Sequence, residues 1–187
     1  APLPSREFPV PSRLDYLDGL RAVAALYVTL FHVAVGFPSG ELPRVMKPLL
    51  RLLSFGHEAV AIFIVLSGYC LMLSALRSER GGVGRVDVAF GSYIARRAFR
   101  ILPPYYVTLL LSLVAIALVP ALQPPAGSGT IWDGTTPAFE LGPIASHLLV
   151  VHNWSPEWVH RINGPLWSVA SEWQIYFFFP LVFLPAW

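Results

Sequence analysis

Arg21 and His32 lie in the apolar stretch "DGLRAVAALYVTLFH", residues 18–32, where charged and titratable side chains are costly in a membrane. On an α-helix their eleven-residue separation equals three turns and about 20°, so both project from one face, about 16 Å apart along the axis. Such groups inside an apolar helix indicate a function. The alternative is structural: Arg21 reaches the lipid headgroups and His32 hydrogen-bonds to a neighbouring helix.

A second group of polar residues is the arginine pair of "RRAFRILPPYY", residues 96–106. Arg97 and Arg100 are three residues apart and share a helix face just before an apolar run. The arginine fork holds phosphate through two parallel hydrogen bonds, which indicates a cytoplasmic phosphate-bearing ligand. The alternative is a basic collar that binds anionic lipid.

The third candidate is Glu172, inside the apolar segment "LWSVASEWQIYFFFP", residues 166–180. Because a buried carboxylate without a partner is unstable, we expect Glu172 to face the protein interior and to find a donor. Ser168 and Tyr176, four residues before and after it, share its helix face. A purely structural pairing of Glu172 with an arginine is the alternative.

The elements that must position these groups are long apolar helices. Of the 187 residues, 55% are hydrophobic and only 13% are charged, about half the charged fraction of a soluble domain. Two uncharged runs are long enough to cross a hydrocarbon core of about 30 Å. The fold class predicted is an all-α, polytopic transmembrane bundle with about four full spans and one short or re-entrant segment. The spans are expected at residues 17–37, at 59–76, from 101 to about 120 and from 166 onward, and the short segment at 142–151.

Smaller elements and boundaries complete this prediction. We expect an interfacial helix at residues 45–53, and Pro103 and Pro104 in the first turn of the third spanning helix, where proline is best tolerated. Residues 1–16 are predicted to be a cytoplasmic lead, and 17–187 the N-terminal part of a truncated membrane domain. The apolar run that reaches residue 187 favours a fragment of a larger polytopic protein.

Charge predicts the orientation of the chain. The segment between the second and third spans is rich in arginine, whereas residues 123–141 contain no lysine or arginine. By the positive-inside rule, the N-terminus and the arginine-rich segment are cytoplasmic. We therefore expect a multi-pass protein of a bacterial-type inner or plasma membrane. A net charge of +2 gives no indication of nucleic acid, and the single cysteine, Cys70, is expected to be a packing residue.

Four motifs together resemble the acyltransferase 3 family of integral membrane acyltransferases. They are "LDGLRAVAALYVTLFH", "FIVLSGY", "RRAFRILPPYY" and "NGPLWSVASEWQIYFFFP", in the family's order across residues 15–180. The resemblance implies about ten spans in a full-length member. It implies transfer of an acyl group, commonly acetyl from acetyl-CoA, to a hydroxyl of an extracytoplasmic glycan or other glycosylated acceptor. One departure is Ala170, which stands where the family commonly has a serine two residues before the glutamate.

The resemblance also implies roles for the candidate residues. His32 and Glu172 would be catalytic, with His32 as the base and the carboxylate orienting the imidazole or stabilising its protonated form. Arg21, Arg97 and Arg100 would bind the phosphates of the acyl-CoA, which is a donor substrate; no metal or resident cofactor is expected. The acyl group would pass to the hydroxyl either directly or through an acyl-histidine. The chain alone is predicted to be inactive, since half of the bundle would be missing.

Two other classes of function are compatible with the same residues. A transporter or flippase fragment would use His32 and Glu172 to relay protons or to bind substrate. It predicts internal repeats, which the sequence does not show. A non-catalytic membrane module predicts that both residues can be replaced without loss of activity.

Overall fold

The computed structural model describes residues 15–35, 44–80, 90–123 and 131–183, and all regular structure in these ranges is helical, as predicted. The predicted cytoplasmic lead, residues 1–16, lies almost entirely outside the described residues. Short turns of 3-10 helix connect several of the α-helices. The α-helices within these ranges are α1 Asp15–Val35, α2 Lys47–Leu52, α3 Gly56–Arg80, α4 Phe90–Leu118, α5 Leu141–Leu148 and α6 Leu166–Phe178.

Three predicted spans are confirmed as apolar helical stretches, the second of which includes a short turn between α2 and α3. The stretches long and apolar enough to cross a membrane are Tyr16–Ala34, Lys47–Leu73 and Phe90–Leu118. The expected interfacial helix is present as a 3-10 turn, Arg44–Met46, followed by α2. The fourth span stays a prediction, since α6 has 13 residues and continues into a wider helical turn at Phe179–Phe183.

The prediction for Pro103 and Pro104 was wrong. Both lie inside α4, which begins at Phe90, rather than in the first turn of a new helix. Because proline has no amide hydrogen, the carbonyls of Phe99 and Arg100 lose their helical donors at this point. The arginine motif and the apolar run are therefore two halves of one helix, joined through a segment with weakened internal hydrogen bonding.

Contacts divide the chain into two units, Ala1–Cys70 and Leu71–Trp187. In the first unit, the Tyr27 hydroxyl of α1 donates a hydrogen bond to the carbonyl of Leu52 at the end of α2. The Phe31 ring occupies the place that a Cβ would take at Gly56, so only glycine allows α3 to begin so close to α1. These contacts fix the part of α1 that carries His32.

In the second unit, α4 packs against α6 through two clusters of buried side chains. One cluster contains Tyr105 and Leu109 of α4 with Leu166 and Ala170 of α6, and also side chains from the 131–162 region. The other cluster contains Leu71, Tyr93, Ile101, Tyr176 and Phe179. Arg97 and Glu172 lie on the two helices that these clusters hold together.

The short apolar segment predicted at residues 142–151 is α5, which has eight residues. At 1.5 Å per residue it is about 12 Å long, too short to cross the bilayer as a helix. Its end is a Schellman turn, in which the amides of Val150 and Val151 donate to the carbonyls of His147 and Ser146. Val150 has a φ of 57°, a conformation that is strained for a β-branched side chain. Tight packing (2% exposed) keeps it there.

Candidate functional site

His32 is held by its own helix. Its Nδ1 lies 2.7 Å from the carbonyl oxygen of Val28, and the half-buried ring meets the edge of Phe31 at a centroid distance of 5.0 Å. Because a carbonyl oxygen can only accept, Nδ1 carries the proton of the neutral imidazole, and Nε2 carries the lone pair. In this tautomer Nε2 is the nitrogen that can accept a proton.

Arg21 lies on the same face of α1 as His32, the face that also buries Leu17 and Ala24. Its side chain is only 12% exposed and forms an ion pair with Asp18 at 3.8 Å. Its guanidinium also lies 5.2 Å from the centre of the Phe63 ring of α3. Arg21 is therefore packed against neighbouring side chains of the first unit.

The two arginines of α4 differ in their surroundings. Arg97 is half-buried, and its guanidinium carbon lies 5.1 Å from the centre of the Tyr176 ring and 5.6 Å from that of Tyr93. Arg100 is exposed. A guanidinium held over aromatic rings can still direct N–H donors outward, as a phosphate site requires.

The carboxylate of Glu172 has the predicted donor. The Tyr176 hydroxyl donates to Glu172 Oε1 at 2.7 Å, one helical turn away. Ser168, the other expected neighbour, instead donates to the carbonyl of Pro165. Glu172 and Arg97 are therefore connected through one aromatic ring. Their partner in the expected chemistry, His32, belongs to the first unit, and the pairing of His32 with Glu172 stays a prediction.

Ala170, the position that departs from the family's serine pattern, lies in an apolar environment. Its side chain is fully buried (0% exposed) in the apolar cluster with Tyr105, Leu109 and Leu166. A hydroxyl at this position would enter that cluster. The neighbouring Ser171 faces a different environment, since it accepts a hydrogen bond from Asn153 at 3.1 Å.

The sequence reasoning missed a buried pair of histidines. His147 and His152 are both 0% exposed, and their rings stack with centroids 3.8 Å apart and planes 8° from parallel. His147 Nδ1 donates to the carbonyl of Pro143 at 2.8 Å. The Tyr105 hydroxyl donates to the carbonyl of His147 at 2.8 Å and lies 3.4 Å from His152 Nδ1. These contacts of Tyr105 with the two histidines connect the end of α5 to α4.

The two tyrosines of the "PPYY" motif make the hydrogen bonds that connect α4 to α5. Tyr105 and Tyr106 donate to the carbonyls of His147 and Leu148, which are among the last carbonyls of α5. Two histidines within a short apolar segment are the sequence signal that should have indicated a buried polar cluster. In the described part of the chain, no three His, Cys, Asp or Glu side chains converge in a way that could hold a metal ion.

The buried histidines predict a specific dependence of stability on pH. They lie outside the three candidate spans. Burial lowers the pKa of His147, and burial followed by the proximity of His147 lowers the pKa of His152 to about 4 from the ordinary 6.5. The unfolded chain then binds more protons than the folded chain between those values. Folding stability should fall as the pH drops from 6.5 toward 4, with His152 contributing up to about 1.4 kcal/mol per pH unit and His147 acting in the same direction.

Thermal unfolding of the intact protein in detergent, measured from neutral to mildly acidic pH, checks this expectation. The matched variant is His152→Phe, which keeps a stacking ring and removes one titrating group. Its unfolding midpoint should fall less steeply with acidification than that of the wild type. Identical slopes for the two proteins would contradict the role of the pair.

Comparison with known proteins identifies the family. The sequence profile of the acyltransferase 3 family, described as an acyltransferase domain, matches residues 14–187, so the chain belongs to this family. The resemblance predicted from the four motifs is confirmed. Together with the three long apolar helices, membership identifies an integral membrane protein.

Curated relatives show how much of a longer protein the chain covers. The acyltransferase MdmB of Streptomyces mycarofaciens is 31% identical over 171 residues, which are 90% of this chain and 39% of the relative. The putative peptidoglycan O-acetyltransferase YrhL of Bacillus subtilis (strain 168) is 27% identical over 88% of this chain and 23% of its own length. The O-acetyltransferase PaAT-1 of Phomopsis amygdali is 30% identical over 65% of this chain and 29% of its own length. The chain therefore spans less than half of each relative. No solved structure matches.

Proposed function

We propose that the intact protein is a membrane-bound acyltransferase. It moves an acyl group from acyl-CoA to a hydroxyl of a glycan or glycosylated acceptor, and the acyl group proposed is acetyl. The observation that carries the proposal is His32, in a chain of the acyltransferase 3 family. Its Nδ1–H is fixed by the Val28 carbonyl, which leaves Nε2 as a proton acceptor on the same helix face as Arg21.

The reaction needs one proton acceptor and one leaving group. The acceptor's hydroxyl oxygen attacks the thioester carbonyl, and its proton passes to His32 Nε2. The carbon–sulfur bond then breaks, the ester forms, and the CoA thiolate takes the proton from the imidazolium to leave as the thiol. A base of this kind is worth about 10²- to 10⁴-fold in rate. Glu172 would stabilise the imidazolium that exists between these two proton transfers.

The donor site is proposed at the cytoplasmic ends of α1 and α4. A CoA thioester is a polyanion with a long, nearly neutral arm, so its phosphates suit Arg21, Arg97 and Arg100 where water still reaches them. The asymmetry of basic residues supports a cytoplasmic N-terminus in a bacterial-type inner or plasma membrane.

The acceptor is proposed to lie on the opposite side of the membrane. A glycan acceptor is favoured by the name of the Bacillus relative, a putative peptidoglycan O-acetyltransferase. An imidazole base suits any sugar hydroxyl that reaches Nε2, so a glycosylated small molecule fits the same chemistry.

Transfer of label across vesicles tests the function and its orientation. Radiolabelled acetyl-CoA is added to membrane vesicles that contain the intact protein, and the radioactivity in the glycan and glycolipid fractions is measured. Inside-out vesicles should incorporate label at least tenfold faster than right-side-out vesicles, because acetyl-CoA does not cross the bilayer. Equal rates would contradict the orientation. No protein-dependent incorporation in either preparation would favour the transporter or the non-catalytic module.

A further inference from the structure

Tyr176 contacts both Arg97, which is proposed to bind the acyl-CoA, and the carboxylate of Glu172. Its hydroxyl donates to Glu172 Oε1 at 2.7 Å, and its ring centre is 5.1 Å from the guanidinium carbon of Arg97. The residue is only 2% exposed, on α6, and packs with Leu71, Ile101 and other residues of the second cluster. Neither end of this side chain is free to move.

We propose that Tyr176 is a positioning residue that holds the Glu172 carboxylate and the Arg97 guanidinium in one fixed arrangement. The inference rests on the proposed function, because it assumes that Arg97 binds the donor and that Glu172 takes part in the transfer. It assigns different tasks to the two parts of one side chain: the hydroxyl serves the chemical step and the ring serves donor binding.

The hydroxyl acts on the carboxylate. A glutamate side chain has high rotamer freedom, and fixing it costs entropy unless a strong contact compensates. A hydroxyl-to-carboxylate hydrogen bond is charge-assisted and among the stronger ones in proteins. Because this hydroxyl belongs to the buried side chain of Tyr176, the Glu172 carboxylate is held in place before any substrate binds.

The ring acts on the arginine. The negative face of an aromatic ring attracts a guanidinium, and partial burial strengthens this attraction. Tyr93 supplies a second ring near Arg97, at 5.6 Å. The two rings thereby restrict the orientation of the guanidinium before a phosphate binds.

The substitution Tyr176→Phe separates the two tasks, since phenylalanine keeps the ring and removes the hydroxyl. With radiolabelled acetyl-CoA and vesicles of the intact protein, kcat should fall about 10- to 100-fold, the range expected for loss of a hydrogen bond to a charged group. The KM for acetyl-CoA should stay within about twofold of the wild type, because Arg97 keeps its ring contact. Tyr176→Leu should lower kcat and also raise the KM, by about three- to tenfold.

A double variant tests the coupling directly. If the hydroxyl acts through the carboxylate, Tyr176→Phe combined with Glu172→Gln should be no slower than Glu172→Gln alone. Tyr106→Phe is the matched control: it removes a hydroxyl that makes a hydrogen bond of 2.8 Å to the Leu148 carbonyl, outside this arrangement. It should transfer acetyl groups at the wild-type rate.

The outcomes distinguish this inference from the proposed function. Wild-type turnover of Glu172→Gln would overturn the role of the carboxylate in the proposed function, and the inference with it. A slow Glu172→Gln together with an unimpaired Tyr176→Phe would overturn only the role of Tyr176. Loss of acetyl-CoA binding in Tyr176→Phe, or full additivity in the double variant, would also overturn it.

Discussion

Replacement of His32 by glutamine is expected to lower acyl transfer about 10²- to 10⁴-fold while acetyl-CoA binding stays unchanged. Glutamine can keep a hydrogen bond to the helix backbone, as Nδ1 now does to Val28, but its amide cannot accept a proton as a base. The substitution therefore preserves the structural contribution of the side chain and removes its chemical one. Turnover and equilibrium binding of acetyl-CoA on the purified intact protein are the two measurements.

His57→Gln is the matched control for this experiment. His57 belongs to the same unit, is exposed, and contacts the same Phe31 ring that His32 contacts, at a centroid distance of 5.8 Å. Its replacement should leave turnover near the wild-type value. Turnover of His32→Gln close to that of the wild type would show that the histidine is a structural hydrogen-bond donor, and the proposed mechanism would fail.

Replacement of Arg97 by glutamine is expected to weaken acetyl-CoA binding by about 10- to 100-fold, the loss typical of one hydrogen bond to a charged group. The double substitution Arg97→Gln with Arg100→Gln should weaken it further and make the dissociation constant less dependent on salt, because fewer charge pairs remain to be screened. Arg97→Lys should restore binding only in part, since the ammonium lacks the planar fork. The measurement is acetyl-CoA binding to the intact protein at low and high ionic strength.

Arg96→Gln provides the comparison that separates a phosphate site from a lipid collar. Arg96 is exposed, neighbours Arg97 on α4, and contributes the same charge to the membrane surface. A collar would respond similarly to loss of either arginine, whereas a phosphate site requires the stacked Arg97. Wild-type binding by the double glutamine variant would contradict the donor assignment.

The sequence by itself determined the features that depend on local periodicity. Apolar runs longer than the hydrocarbon core predicted three of the helices, because each residue adds a fixed rise along the helix axis. Helical spacing placed Arg21 and His32 on one face. The same spacing placed Ser168 and Tyr176 on the face of Glu172, and in the structure Tyr176 is the one that donates to this carboxylate. The motif order was sufficient to predict the family.

Local rules failed where two helices merged. The double proline was interpreted as a helix start, since proline costs least there. Packing of α4 against α6 instead maintains one helix through both prolines, because burial of residues such as Tyr105 and Leu109 outweighs the missing amide hydrogen bonds. Local propensity is a weak guide when tertiary contacts of this size oppose it.

Only the tertiary structure decided which distant residues meet. The Tyr105 hydroxyl reaches the carbonyl of His147, 42 residues later in the chain, and thereby fastens the stacked histidines to α4. Arg97 of α4 lies over the ring of Tyr176 on α6. The entropy cost of closing such long loops is offset by the apolar surface that whole helix faces bury. This total depends on many residues at once, so no short sequence pattern predicts it. Local spacing therefore gave Glu172 its hydroxyl donor, whereas packing between helices placed the arginine on the same ring.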